Sequence, residues 1–210
     1  MARARRRRRP QDAYGKRARR EGYAARSVYK LAEIDAKVRL LRRGDRVLDL
    51  GAYPGSWTAY AAERVQREGK VVGVDLQPFR GSLPPHARMV QADATALDLG
   101  ALGGPEAFDV VLSDMAPATI GHRFTDMARS QALFLAALDI AERVLVPGGR
   151  FCGKLFQGGD FPEARAAVQA RFGTARVVKP KATRSESYEV YLVGLDKRAP
   201  VAGAQAPAGA

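Results

Sequence analysis

The apolar positions of this chain change period several times along its length, and those changes mark out alternating elements. Short apolar runs at 46–50, 70–75, 87–92, 108–113 and 150–155 are bounded by Gly, Pro, Asp or charged residues, which predicts strands. Between them the spacing turns helical. Val28, Leu31, Ile34 and Val38 share one face behind Ser27, a candidate N-cap, and a second helix fits about 55–66. Leu133, Phe134, Ala137, Leu138, Ala141, Val144 and Leu145 form a single stripe that predicts a helix over about 127–145. Pro147-Gly148-Gly149 predicts the stop of that helix and the turn into the next strand. A helix at 160–171 and strands at about 175–179 and 188–194 complete the series. Strands alternating with helices predict an α/β fold, a mostly parallel sheet with helices on both faces.

In such a sheet ligands bind beyond the carboxyl ends of the strands, where the strand order reverses. The stretch V-L-D-L-G-A-Y-P-G-S-W at 47–57, followed by V-V-G-V-D-L at 71–76, reads as strand, glycine turn, helix and a second strand ending in Asp75. That is the form of an adenosine site, with glycines admitting the ligand and an acid accepting ribose hydroxyls. The turn lacks the G-x-G-x-x-G spacing, and Pro54 removes an N–H that a pyrophosphate would use. An adenosine without phosphates fits better, which points to S-adenosylmethionine. Asp49, Asp75, Asp93 and Asp114 all fall at predicted strand ends. Each could simply cap a helix, but four at one edge point to a shared ligand site.

Charge sharpens the picture. The 210-residue chain has a formal net charge of +13, and ten of those excess charges fall in its first thirty residues. A polyanion is the natural partner, and the lack of an amphipathic apolar face argues against a membrane surface. Residues 1–22 hold too few apolar side chains to fold alone and read as a disordered basic arm. Residues 23–196 form the expected domain, and 197–210, rich in Ala, Pro and Gly, a disordered tail. Cys152 is the single cysteine, in an apolar run, and reads as an inert core thiol. His86 and His122 have no ligand spacing, so no metal is expected. No run approaches the ~20 apolar residues of a membrane span, and the arginine-rich start lacks an apolar signal region. A cytoplasmic protein is expected.

Five motifs in order carry a family resemblance: R-S-V-Y-K-L at 26–31, D-L-G-A-Y-P-G-S-W at 49–57, S-D-M-A-P at 113–117, G-K-L-F-Q-G at 153–158 and S-Y-E-V-Y-L-V at 187–193. The chain resembles the FtsJ/RrmJ family of RNA 2′-O-methyltransferases from about Arg26 to Leu195, most closely its bacterial branch acting on large-subunit ribosomal RNA. The resemblance implies a class I, Rossmann-like methyltransferase fold, a seven-stranded sheet with one antiparallel strand. It implies a catalytic tetrad of Lys30, Asp114, Lys154 and Glu189, with Lys154 as general base. It also implies cofactor contacts from Gly55, Trp57, Asp75, Asp93 and Asp114, with Asp75 on the ribose hydroxyls and Asp93 on the adenine amino group. The expected acceptor is a ribose 2′-hydroxyl, of a uridine, in ribosomal RNA within the large subunit, and the expected enzyme is a monomer. Tyr53 departs from the family pattern, which usually has a small residue there.

The chemistry explains why such residues are needed. A ribose hydroxyl is a poor nucleophile until its proton leaves, so a positioned base contributes about 10²–10⁴-fold. Lys154 interrupts an apolar strand, where burial favours the neutral amine; Lys30 would reinforce that, whereas Asp114 and Glu189 would oppose it. Arg26, Lys37, Lys179, Lys181 and Arg184 could join the arm in one phosphate-binding face. Transfer RNA or a messenger cap is the alternative acceptor. An RNA-binding assembly factor is the alternative without catalysis, and the +13 charge disfavours a small-molecule methyltransferase.

Overall fold

The strands form where the apolar runs predict, and their order creates the site. The computed structural model describes residues 13–102, 104–105, 107–158, 161–184 and 187–199. Helices α1 (Ala13–Arg20) and α2 (Val28–Val38) precede β1 (Arg46–Leu50), α3 (Ser56–Val65), β2 (Lys70–Asp75), β3 (Ala87–Gln91) and β4 (Phe108–Ser113). Then come α4 (Arg123–Val144), β5 (Leu145–Phe156), α5 (Phe161–Arg171), β6 (Phe172–Val178) and β7 (Glu189–Lys197). These form one seven-stranded sheet in the order β3-β2-β1-β4-β5-β7-β6. The strands β1 to β5 pair in parallel, and β7 runs antiparallel to both neighbours, β5 and β6. The expected α/β architecture of the class I methyltransferases, with its single reversed strand, is what the chain builds.

Each sheet face carries its own helices, because both faces of the central strands are apolar. On one face Leu31, Ile34, Trp57, Ala61 and Val65 of α2 and α3 pack on Val47, Val71, Val110, Leu112 and Tyr191. On the other, Phe134, Leu138, Ala141, Ala164 and Val168 of α4 and α5 pack on Leu48, Leu50, Val111, Phe151 and Leu192. Cys152 is fully buried in the first of these layers, and burial pushes its thiol far above the ordinary range, so it stays protonated and inert.

Four local readings need adjustment. Ser27 holds the N-cap position of α2 as expected, but its side chain makes no cap bond; its carbonyl accepts a 2.8 Å hydrogen bond from Trp57 Nε1. The Pro147-Gly148-Gly149 turn does not end α4, which passes directly into β5 at Leu145. It produces a bulge there, so that Leu145 pairs with Phe108 but Arg150 with Val110. Finally, residues 13–20, assigned from sequence to an unfolded arm, form a helix with Ala18 buried against Val28, Tyr29 and Ala182. Lys197, placed in the tail, ends β7. Of the remaining arm and tail positions, 21, 22, 198 and 199 are described, while 1–12 and 200–210 lie outside the described residues.

Candidate active site

Strand order sets the site. β1 leads to β2 on one side and has β4 on the other, so the loops leaving β1 and β4 diverge at their carboxyl ends. Asp114 N donates to Leu50 O at 3.1 Å, which pins the second loop to the end of β1. Between the loops lies a cleft of about 370 Å³ lined by residues including Gly51, Tyr53, Asp75, Asp93, Asp114 and Met115. Its size is within the usual range for small-molecule sites, ~300–1,000 Å³. Gly51 has φ +74°, and a Cβ there would sit 2.8–2.9 Å from Met115, so only glycine lets these loops approach so closely.

The acids at the strand ends have different duties. Asp75 accepts from the backbone N–H groups of Tyr53 (2.9 Å) and Gln77 (2.8 Å), and so ties the glycine loop to the end of β2. Asp93 accepts from Thr95 N (2.8 Å) and Oγ1 (2.7 Å), bonds that hold its carboxyl below the usual range and keep it ionised. Asp49 lies below the cleft, completely buried. Its Oδ2 accepts from Thr58 Oγ1 at 2.7 Å, while Oδ1 has no partner among the described residues. Burial, with Asp114 and Asp75 nearby, pushes its carboxyl up to about 7. Tyr53 is half exposed at the cleft mouth, so its bulk does not occupy the loop's interior.

The tetrad residues come together through register. Ser113 pairs with Gly153, which sets Asp114 beside Lys154; Lys154 pairs with Tyr191, and Phe156 with Glu189. Tyr191 and Glu189 are two apart on one strand, so they share the face that Lys154 occupies. Lys154 Nζ donates to Asp114 O at 2.5 Å and pairs with its Oδ1 at 3.1 Å, and the lysine is only 7 % exposed. Lys30, from α2, forms an ion pair with Glu189, whose Oε1 also accepts from Thr183 Oγ1 at 3.3 Å. The loop bearing Thr183 is fixed in turn to α2. Glu33 accepts from the N–H groups of Lys181 (2.6 Å) and Ala182 (2.9 Å), and Arg26 donates to Ala182 O (2.6 Å). A second cavity of about 440 Å³, lined by Arg26, Ser27, Lys30, Ala182, Arg184, Ser187 and Glu189, opens on this side.

Two expected cofactor residues are not among those lining this cleft. Trp57 is buried with Leu31, Ile34 and Tyr191, its ring 5.6 Å from the Tyr191 ring, and does not line the cleft. Gly55 is also outside the lining. Its φ of +96° starts α3, and a Cβ there would meet the Phe79 ring at 2.7 Å. Arg26 is drawn inward to Ala182 and over the Tyr14 ring, whereas Lys37, Lys179, Lys181 and Arg184 are exposed. Tyr191 was not foreseen. Its hydroxyl donates to Asp114 Oδ1 at 2.8 Å, and burial, reinforced by Asp114 and Glu189, holds its proton far above the ordinary range.

The family can now be set beside this geometry. Residues 23–197 match the FtsJ-like methyltransferase family model. The chain belongs to that family. It is 51 % identical over 188 residues to the ribosomal RNA large subunit methyltransferase E of Sorangium cellulosum, covering 90 % of this chain and 89 % of that protein. Its identity to the protein of the same name from Desulfosudis oleivorans is 48 % over 188 residues, covering 89 % and 91 %. A crystal structure from Plasmodium falciparum, described as a ribosomal RNA methyltransferase, is similar with a TM-score of 0.74 at 26 % identity, covering 83 % of this chain and 98 % of that one.

Methyltransferases of this FtsJ-like type take S-adenosylmethionine as methyl donor. The cleft suits that group. The Gly51 cradle admits a ligand against backbone, Leu76, Met115 and Leu133 supply apolar wall, and the carboxylates of Asp75 and Asp93 can accept from hydroxyl and amino groups. Among the described residues no group of three or more His, Cys, Asp or Glu side chains could hold a metal, and no helix is long and apolar enough to cross a membrane.

Proposed function

We propose that this FtsJ-like methyltransferase modifies a ribose 2′-hydroxyl, of a uridine, in large-subunit ribosomal RNA, with Lys154 accepting the hydroxyl proton. The observation that carries this reading is the position of the tetrad. Asp114, paired with Lys154, lines the strand-end cleft, and the Lys30–Glu189 pair lines the second cavity together with Arg26 and Arg184. The names of the relatives and the net charge of +13 favour ribosomal RNA over a small acceptor.

S-adenosylmethionine, when bound, supplies an electrophilic methyl group on a sulfonium. The residues of the chain do the rest. Asp75 takes the ribose hydroxyls and Asp93 the adenine amino group, while Asp114, shared by both sites, orients Lys154. With the cofactor bound, Lys154 Nζ would take the 2′-proton as the ribose oxygen gains the methyl group, the methyl–sulfur bond breaking to leave a neutral thioether. Lys30 and Glu189 hold the acceptor ribose in line, which is where most of the rate gain arises, since well-oriented reactants gain about 7–11 kcal/mol. Tyr191, which keeps its own proton, positions Asp114 as a donor and is not a second base.

The test uses the full chain with labelled cofactor and separated ribosomal, transfer and messenger RNA, followed by mapping of the labelled ribose. Label is expected in large-subunit RNA at one 2′-oxygen. Lys154→Ala should lower turnover by at least about 10²-fold with cofactor affinity retained, and Lys154→Arg should not rescue it, because a guanidinium does not give up its proton. Label confined to transfer RNA or a cap would replace the substrate. An active arginine variant would make Lys154 a charge-positioning residue.

A further inference from the structure

Beside the tetrad the rim of the site exposes aromatic side chains that nothing in methyl transfer requires. Phe124 is 80 % exposed at the start of α4, and Tyr188, directly before Glu189, is 53 % exposed. The Arg123 guanidinium lies 4.3 Å from the centroid of the Tyr188 ring, which joins the α4 rim to the β6–β7 loop. Both sides are anchored. Asp126 accepts from the N–H groups of Ile120 (3.0 Å) and Gly121 (3.2 Å), the His122 ring bonds Thr125 Oγ1 at 2.9 Å, and Gln157 N donates to Tyr188 O at 2.8 Å. That last bond fixes the Tyr188 backbone to the end of the strand that carries Lys154. Rigid aromatic faces left in water, next to an arginine and a basic cavity, match what unpaired nucleic-acid bases stack upon.

Resting on the reading of the neighbouring site as a ribose methylation centre, we propose that Phe124 and the Arg123-backed Tyr188 ring form a stacking clamp for an unpaired base of the acceptor strand. The clamp splays the strand so that one ribose faces Lys154. Because every base has a π-face, it selects for unpaired structure and leaves sequence to other contacts.

The experiment measures binding by fluorescence anisotropy, with full-length protein and S-adenosylhomocysteine present. The probes are a short single-stranded ribo-oligonucleotide and the same backbone with abasic sites. Phe124→Ala and Tyr188→Ala should each weaken binding of the base-bearing strand by about fivefold to a hundredfold, with no loss on the abasic strand. Phe124→Trp and Tyr188→Phe should remain within about twofold of the parent, since both keep a ring. Unchanged affinity in the alanine variants, or an equal loss on the abasic strand, would overturn the clamp. If the parent methylates no ribose yet the base-dependent loss persists, the methylation reading fails and the clamp stands.

Discussion

Asp49 shows how a single buried carboxyl links this fold to pH. It has no exposed surface, one of its oxygens lacks a partner among the described residues, and its carboxyl is pushed up to about 7. In the unfolded chain it would titrate near 3.9. The folded state therefore binds more protons between about pH 4 and pH 7, so stability from this residue is complete below that window and is lost as pH rises through it. Asp49→Asn keeps an acceptor for Thr58 and cannot ionise. The variant should gain on the parent across pH 4–7, by no more than about 4 kcal/mol, as read by urea denaturation at several pH values. A constant difference would show that Asp49 is ionised throughout. The functional aspartates diverge for equally local reasons. Asp93 stays ionised because Thr95 donates twice to it, and Asp75 commits one oxygen to the glycine loop through Tyr53 N and the other to Gln77 N. Any substitution at Asp75 thus loosens the loop as well as removing a ligand contact.

Among elements, α1 is the one that periodicity could not reveal. Its eight residues, A-Y-G-K-R-A-R-R, are far shorter than the ~12–15 needed for a marginally stable isolated helix. Tertiary contacts hold it instead. Tyr14 packs 5.6 Å from the Tyr29 ring, Arg17 lies over Tyr29 at 4.6 Å, Glu21 accepts from Arg17 and Tyr29 at 2.8 Å, and Tyr23 donates to Glu63 at 2.7 Å. Removing residues 1–22 should consequently expose Tyr29 and lower Tm by about 2–6 °C relative to removing 1–12, measured by calorimetry. Equal Tm values would mean that α1 contributes nothing to the fold. The rest of the sheet was legible because β1, β2 and β4 are largely buried and their sequences are mostly apolar. Boundaries were less so: α4 begins at Arg123, with His122 as its cap, ahead of its apolar stripe. In the site, Lys154 was legible as a charge interrupting an apolar strand and Asp114 as a strand-end acid, while Lys30 and Glu189 came only from the family resemblance. Tyr191 reads from sequence as one more core aromatic, and only the pairing of β5 with β7 brings its hydroxyl to Asp114. The place of Trp57 in the glycine motif says nothing of which face of α3 it occupies, and the fold buries it with Leu31, Ile34 and Tyr191.

At the scale of the whole molecule, charge and topology converge on one edge. The sheet brings the strand-end acids, the tetrad and the cavity lined by Arg26 and Arg184 to the carboxyl side of the strands. The chain enters the fold at that same place. Tyr14 in α1 is covered by Arg26, and Ala18 packs against Ala182, both of which line the cavity. Six arginines, Arg3 and Arg5 to Arg9, precede α1 in sequence, and α1 docks beside the proposed RNA entrance. A docked α1 gives them a fixed point of attachment, which raises their effective concentration at the acceptor strand. Removing residues 1–12 alone should weaken binding to single-stranded RNA while leaving cofactor affinity and Tm unchanged. It should also flatten the dependence of log K on log salt by roughly 0.7 for each arginine that contacts phosphate. This loss differs in kind from that of the aromatic clamp. Phosphate contacts disappear at high salt and are blind to the bases, whereas stacking persists and requires them. A truncated protein with the parent's affinity and salt slope would leave RNA attraction to Lys37, Lys179, Lys181 and Arg184 on the folded surface.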